Sequence, residues 1–170
     1  AAKIIEEAGY KGLKIPILSR TEYSYSKIAV LLVDQLKKIG LDAEVKVMED
    51  AAYWNLLRGK ESEMAVSGMA VPGDDPDYWM GYGYLTGASS NWSYYSSPKV
   101  DDLYAQQSRA PDLAARRKII GEMEKTILED RPMFCAFWRI YSTLVGPRVK
   151  NYLFTNIYSG QKLEDVWLAR

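Results

Sequence analysis

The sequence predicts an α/β protein with a βαβαβ core, a mixed sheet and additional C-terminal helices. Over residues 12–71, short apolar runs alternate with amphipathic ones, the pattern of a parallel sheet with helical crossovers. From residue 96 onward, two helical patterns with cap signatures follow one another with no strand between them. The 170 residues, 48% hydrophobic and 26% charged, are enough for one domain with a real core.

The chain opens without Met on "AAKIIEEAGY", which reads as the last turns of a helix closed by Gly9. That opening raises the expectation of a piece of a longer protein. "GLKIPILS" reads as the first strand, with Ile15 and Ile17 on one face, and "SRTEYSYS" as a loop. "YSKIAVLLVDQLKKIG" is amphipathic: Ile28, Leu32, Gln35, Leu36 and Ile39 keep the 3–4 spacing, and Gly40 stops it. "LDAEVKVME" alternates, placing Ala43, Val45 and Val47 on one side. Asp50 is expected to cap the short helix "AAYWNLLRGK". "EMAVSGMAV" is mostly apolar and is expected to form the central strand.

In the second half, Asp75 before Pro76, Ser97 before Pro98, and Asp112 each have the form of an N-cap. Leu113, Ile120, Met123 and Ile127 should form the buried stripe of the last helix, which Pro132 ends. "MFCAFWRIYSTLVG" should supply one or two strands turning near Tyr141–Ser142, and "VWLA" has strand character.

Composition excludes several kinds of chemistry. There is no His, so the commonest general base and any Ser-His or Cys-His pair are absent. Cys135 is the sole cysteine and cannot form an intrachain disulfide; its apolar setting predicts a buried thiol. No GxSxG, HExxH or Walker pattern occurs, so the chain is read as no enzyme, with no cofactor and no metal. Lys+Arg and Asp+Glu balance at 22 each, giving no field to recruit nucleic acid, and no apolar run could span a bilayer.

What remains points to binding. Open parallel sheets bind ligands beyond the carboxyl ends of their strands. Arg20, Tyr23 and Tyr25 follow the first strand; Asp50, Tyr53 and Trp54 follow the second. Beyond the third lies "VPGDDPDYWMGYGYLTGASSNWSYY", rich in rings that offer contact area with little rotamer entropy. Capping is the preferred reading of Asp75 and Asp77, which leaves Asp74 for a ligand. Trp79, Asn91 and Trp92 complete the candidates, with Tyr78 and Tyr82 as a helical pair suited to packing. A carboxylate hydrolase would need two acids facing across a cleft, and no such setting is distinctive.

The succession "SKIAVLLVDQLKKIGLDAEVKVMEDAAYWNLLRGKESEMAVSGMAV", "DDPDYW", "NWSYYSSPKVDDLYAQ" and "ARRKIIGEMEKTILEDRPMF" resembles the C-terminal lobe of peptide/nickel-type (family 5) solute-binding proteins of ABC importers. The resemblance covers nearly the whole chain in order. It implies one lobe of a periplasmic-binding-protein-like fold of class II type, with residues 1–170 as a single ligand-binding lobe. It also implies a small solute or peptide held against an N-terminal lobe of the same protein, outside the cytoplasmic membrane. Delivery to an ABC transporter permease follows from the same resemblance. The implied ligand-binding residues are Arg20, Tyr23, Tyr53, Met69, Asp74, Trp79, Asn91 and Trp92. Peptide-binding members often carry an amine-pairing Asp where this chain has Pro72, and a Trp where it has Met69. That departure leaves the ligand open. The rival expectation is a freestanding glycan-binding module with Trp79, Trp92 and the tyrosines as its platform.

Overall fold

The computed structural model describes residues 1–22, 24–68, 73, 75–136, 142–154 and 163–169. They fall into two compact units, Ala1–Met69 and Ala70–Arg170.

The first unit runs α1 (Ala2–Glu7), β1 (Lys14–Arg20), α2 (Tyr25–Lys38), β2 (Asp42–Met48), α3 (Asp50–Arg58) and β3 (Met64–Ala65). The sheet order is β2-β1-β3, and both pairings are parallel. β1 is therefore the central strand. Of the expected third strand, residues 63–71, the described ladder is two residues long and pairs with β1, and 69–71 lie outside the described residues.

Alternation along β1 explains how both faces are covered. Ile17 is fully buried with Ala29 and Tyr25 of α2, Ala43 of β2 and Val66, flanked by Ile28, Leu32, Val33 and Leu36. Leu18 is also buried; by alternation it points to the opposite face, where α3 packs on β1 and buries Tyr53 and Leu57. The crossover at Gly40 needs φ +97°, a conformation only glycine adopts without strain, and Gly12 N–H bonds to the Gly40 carbonyl at 2.7 Å. Two periodic expectations shift. Gln35 is exposed, with Val33 taking a place on the buried side of α2. Val47 is 49% exposed, because the cover over β2 gives out toward its end.

The second unit contains α4 (Pro76–Gly83), α5 (Pro98–Gln107), α6 (Leu113–Asp130) and an antiparallel ribbon of β4 (Val149–Lys150) and β5 (Trp167–Leu168). Among the described residues the parallel and antiparallel pairings thus belong to separate sheets. Three caps form as the sequence predicts. The side chains of Asp75, Ser97 and Asp112 accept from the backbone N–H groups of Asp77, Val100 and Ala115.

Val100 and Leu103 of α5 and Met123 and Ile127 of α6 form the second core, joined by Met80, Tyr84, Leu85, Tyr95, Tyr104 and Ile119. Leu113 is 60% exposed and leaves the stripe, since the first turn of α6 projects past this cluster. Arg131 closes α6 in the left-handed conformation (φ 53°), and Pro132 follows. Residues 133–136 and 142–146 carry no strand; the rest of that expectation, 137–141, lies outside the described residues. Cys135 is exposed, which corrects the buried-thiol expectation.

Ile17 touches the core from the one strand that pairs on both edges. Ile17→Ala is expected to cost about 2–5 kcal/mol through lost burial and a residual cavity, read from the urea midpoint at unchanged slope.

Candidate functional site

In the first unit the carboxyl end of β1 delivers Arg20 into a closed setting. The residue is 7% exposed. The guanidinium carbon lies 4.9 Å from the Tyr25 ring centroid, 5.3 Å from that of Tyr53 and 4.9 Å from that of Trp54. Contacts of this kind stabilise a desolvated cation through the ring quadrupole. Nη1 donates to Asp50 Oδ1 at 2.8 Å and lies 3.6 Å from Glu22 Oε2. Burial alone would lower the Arg20 pKa, but the hydrogen bond and charge of Asp50 outweigh it and hold the group above its ordinary value.

Asp50 is the hinge of this cluster. Its other oxygen, Oδ2, accepts from Trp54 Nε1 at 3.2 Å. The expectation that Asp50 caps α3 is corrected: it is the first residue of the helix, Glu49 holds the cap position, and no side-chain cap bond forms. An acid in the first turn still faces the positive end of the helix dipole. Asp50 and Trp54 are four residues apart, so one helical face presents both, and that spacing was the readable signal of their joint role.

Tyr53 is fully buried, and its hydroxyl donates to the Val66 carbonyl at 3.1 Å. Burial pushes its phenol pKa up. It therefore lies beneath Arg20 as a support, with no surface left for a solute. Glu22 and Tyr25 are members of the cluster that the sequence reading did not select as ligand residues. Tyr23, Met69, Pro72 and Asp74 lie outside the described residues.

In the second unit Asp75 and Asp77 are engaged internally. Arg116 of α6 closes a two-pronged bond on Asp75: Nη1 donates to Oδ2 at 2.9 Å and Nη2 to Oδ1. Arg116 Nε donates to Gln107 Oε1 at 2.8 Å, and the buried Gln107 amide donates onward to Asp77 Oδ1. The Tyr104 hydroxyl also bonds Asp77. This network ties the start of α4 to α5 and α6. The Arg116 bonds and the Asp77 N–H hold the Asp75 carboxyl at about 2, below its ordinary 3.8. A Cβ at Gly81 would stand 2.5 Å from the Tyr104 hydroxyl, so this approach of α4 to α5 needs glycine.

Trp79 is half-buried on α4, while Tyr78 and Tyr82 are exposed with ring centroids 6.4 Å apart. Trp92 is half-buried. Asn91 is buried and organises its own loop. Nδ2 donates to the Leu85 and Tyr95 carbonyls at 2.9 and 2.7 Å, and Oδ1 accepts from Ser93 Oγ and Tyr95 N–H at 3.0 Å each. Four bonds exhaust the usual capacity of its amide, so Asn91 fixes the loop between Leu85 and Tyr95.

A central parallel strand ending in a caged arginine marks the first unit as an α/β fold with its charged cluster at a strand's carboxyl end. Residues 1–91 match the family described as "Bacterial extracellular solute-binding proteins, family 5 Middle", and the chain belongs to that family. It is 27% identical over 158 residues to the periplasmic oligopeptide-binding protein OppA of Haemophilus influenzae, covering 89% of this chain and 29% of that protein. It is 25% identical over 161 residues to the periplasmic murein peptide-binding protein MppA of Escherichia coli, covering 92% of this chain and 30% of that one. The crystal structure of Haemophilus influenzae OppA in complex with RPPGFSPFR superposes with a TM-score of 0.85 at 24% identity, over 99% of this chain and 34% of that one. The periplasmic binding protein DppA of Helicobacter pylori, in complex with the peptide STSA, superposes at 0.70 with 28% identity, over 77% and 27%. The chain spans less than a third of the length of the curated relatives named here.

The sign of the Asp75 shift fixes a pH window. A carboxyl depressed in the folded state contributes stability above its ordinary 3.8 that is lost as pH falls toward 2. In Arg116→Gln the NMR titration midpoint of the Asp75 carboxyl is expected to rise toward 3.8, with the acid limb of unfolding losing its dependence on that group. A midpoint still near 2 would show that Arg116 is not its cause.

Proposed function

We propose that this chain is the C-terminal lobe of a solute-binding component of an ABC importer, working outside the cytoplasmic membrane. It binds an oligopeptide or a related small solute against an N-terminal lobe of the same protein and presents it to the permease. The observation that carries this reading is the buried, ring-enclosed Arg20 at the carboxyl end of the central parallel strand, in a chain of a solute-binding family. Arg20, Tyr23, Met69, Asp74, Trp79 and Trp92 contact the solute in this reading, while Tyr53 and Asn91 hold their neighbours in place. The lobe binds and performs no reaction. The peptides held by two of these relatives, RPPGFSPFR and STSA, support a peptide-like solute. Pro72, at the position where many peptide binders pair the amino terminus, favours a solute held by other contacts.

Native mass spectrometry of the full-length protein as purified should show a co-purified small solute that denaturation releases. A full-length protein that never carries or binds a solute would overturn the reading. The isolated 170-residue chain supplies only one side of the contacts that favour the closed state. Titration calorimetry on it, with the solute so identified, should give an affinity lower by at least about a hundredfold, since half of the differential contacts are gone. Equal affinity in the isolated chain would contradict the two-lobed arrangement.

A further inference from the structure

The electrostatic balance around Arg20 says which chemical groups this end of the crevice takes, an inference that rests on the solute-binding reading above. A guanidinium has five N–H donors and matches a carboxylate best through two parallel bonds. Among the described residues Arg20 does not receive such a partner. Asp50 gives it one oxygen and gives the other to Trp54. The buried Nε of Arg20 finds no hydrogen-bond partner among the described residues. The pairing is a one-point counter-ion, with an Asp50 side chain 44% exposed against a guanidinium side chain only 9% exposed.

Glu22 stands 3.6 Å from the same nitrogen with its side chain half exposed. One cation against two carboxylates leaves the cluster at net −1. An anionic group arriving here meets two like charges and must displace Asp50 to reach the guanidinium. A neutral or cationic group meets rings and a partly exposed carboxylate edge.

We propose that Asp50 is a specificity-determining residue. Its carboxylate is a built-in counter-ion that occupies Arg20 and sets this end of the crevice against anionic groups, in favour of solutes presenting a neutral or cationic group. Glu22 adds to the same bias from the loop after β1.

The test uses simple ions on the full-length protein, so it does not depend on knowing the solute. Thermal unfolding is followed at pH 7 in sodium acetate, methylammonium chloride and sodium chloride at equal ionic strength, for wild type, Asp50→Asn and Asp50→Ser. In wild type, methylammonium should raise Tm more than acetate does. In either variant the order should reverse, with acetate stabilising by a few degrees as it takes the vacated place on Arg20. Adding Arg20→Gln to Asp50→Asn should abolish the acetate effect. The same order in wild type and both variants, or an acetate effect that survives the loss of Arg20, would overturn the proposal. A full-length protein that carries no solute in native mass spectrometry would overturn the transport reading instead, and would leave the ion order to stand or fall separately.

Discussion

The first unit depends on keeping one buried positive charge satisfied. A guanidinium taken out of water costs several kcal/mol unless charge, hydrogen bonds or ring faces replace its hydration. Here Asp50 replaces the charge, while Tyr25, Tyr53 and Trp54 replace the hydration shell. These partners come from two helices of the chain. Tyr25 opens α2, and Asp50, Tyr53 and Trp54 lie in the first turns of α3. Arg20 itself is the last residue of β1, which pairs with both neighbouring strands. The arginine is thus held by the sheet from behind and by two helix starts from the sides. Precise placement of a charged group follows from that arrangement.

The second unit solves a similar problem with fewer buried atoms. Asp75 is exposed enough that its bond to Arg116 is only modestly strong by itself. Its effect comes from geometry: a planar fork fixes both oxygens at once, and the cap to the Asp77 N–H fixes the same carboxylate to its own helix. Gln107 then extends the tie to Asp77 through a buried amide, where a misplaced partner would leave a polar group unsatisfied. Asp75 and Asp77 thus serve helix anchoring. Rings on α4 are thereby held on a rigid element, the condition under which an aromatic contact is cheap in entropy.

Much of the fold was legible because local signals and burial agree. Gly40, Ser97–Pro98 and Asp112 mark ends that the backbone must make whatever surrounds them. The misreadings fall where a local signal competed with a tertiary one. Asp50 has the form of a cap, but a buried arginine 30 residues away offers its carboxylate a stronger bond, and nothing in the local sequence reveals that arginine's direction. Cys135 has an apolar neighbourhood in sequence, but apolar neighbours in sequence do not ensure cover in space, and the thiol is exposed. Leu113 keeps the helical period of Met123 and Ile127 but sits a turn beyond the packed cluster. Periodicity names a face and cannot say how far along the helix that face is covered. The same limit applies to the candidate site: Asn91 and Tyr53 were selected by type and position, and their polar atoms are spent on the fold.

These assignments bear on how a lobe of this kind can hold a solute and still release it. A two-lobed binder closes only as far as the solute's contacts in the closed state exceed those in the open one. Groups already satisfied within the lobe, such as Asp75, Asp77, Asn91 and Tyr53, gain little on closure and add little to that difference. Their part is to keep the remaining groups from moving. Arg20 is intermediate: charged, nearly buried, and partnered at one point by a side chain that is itself half exposed. Any contact a solute makes there counts only as the excess over what Asp50 already provides. On the solute-binding reading proposed above, discrimination at this position is set by the difference between two partners of the same arginine, one supplied by the solute and one carried by the lobe.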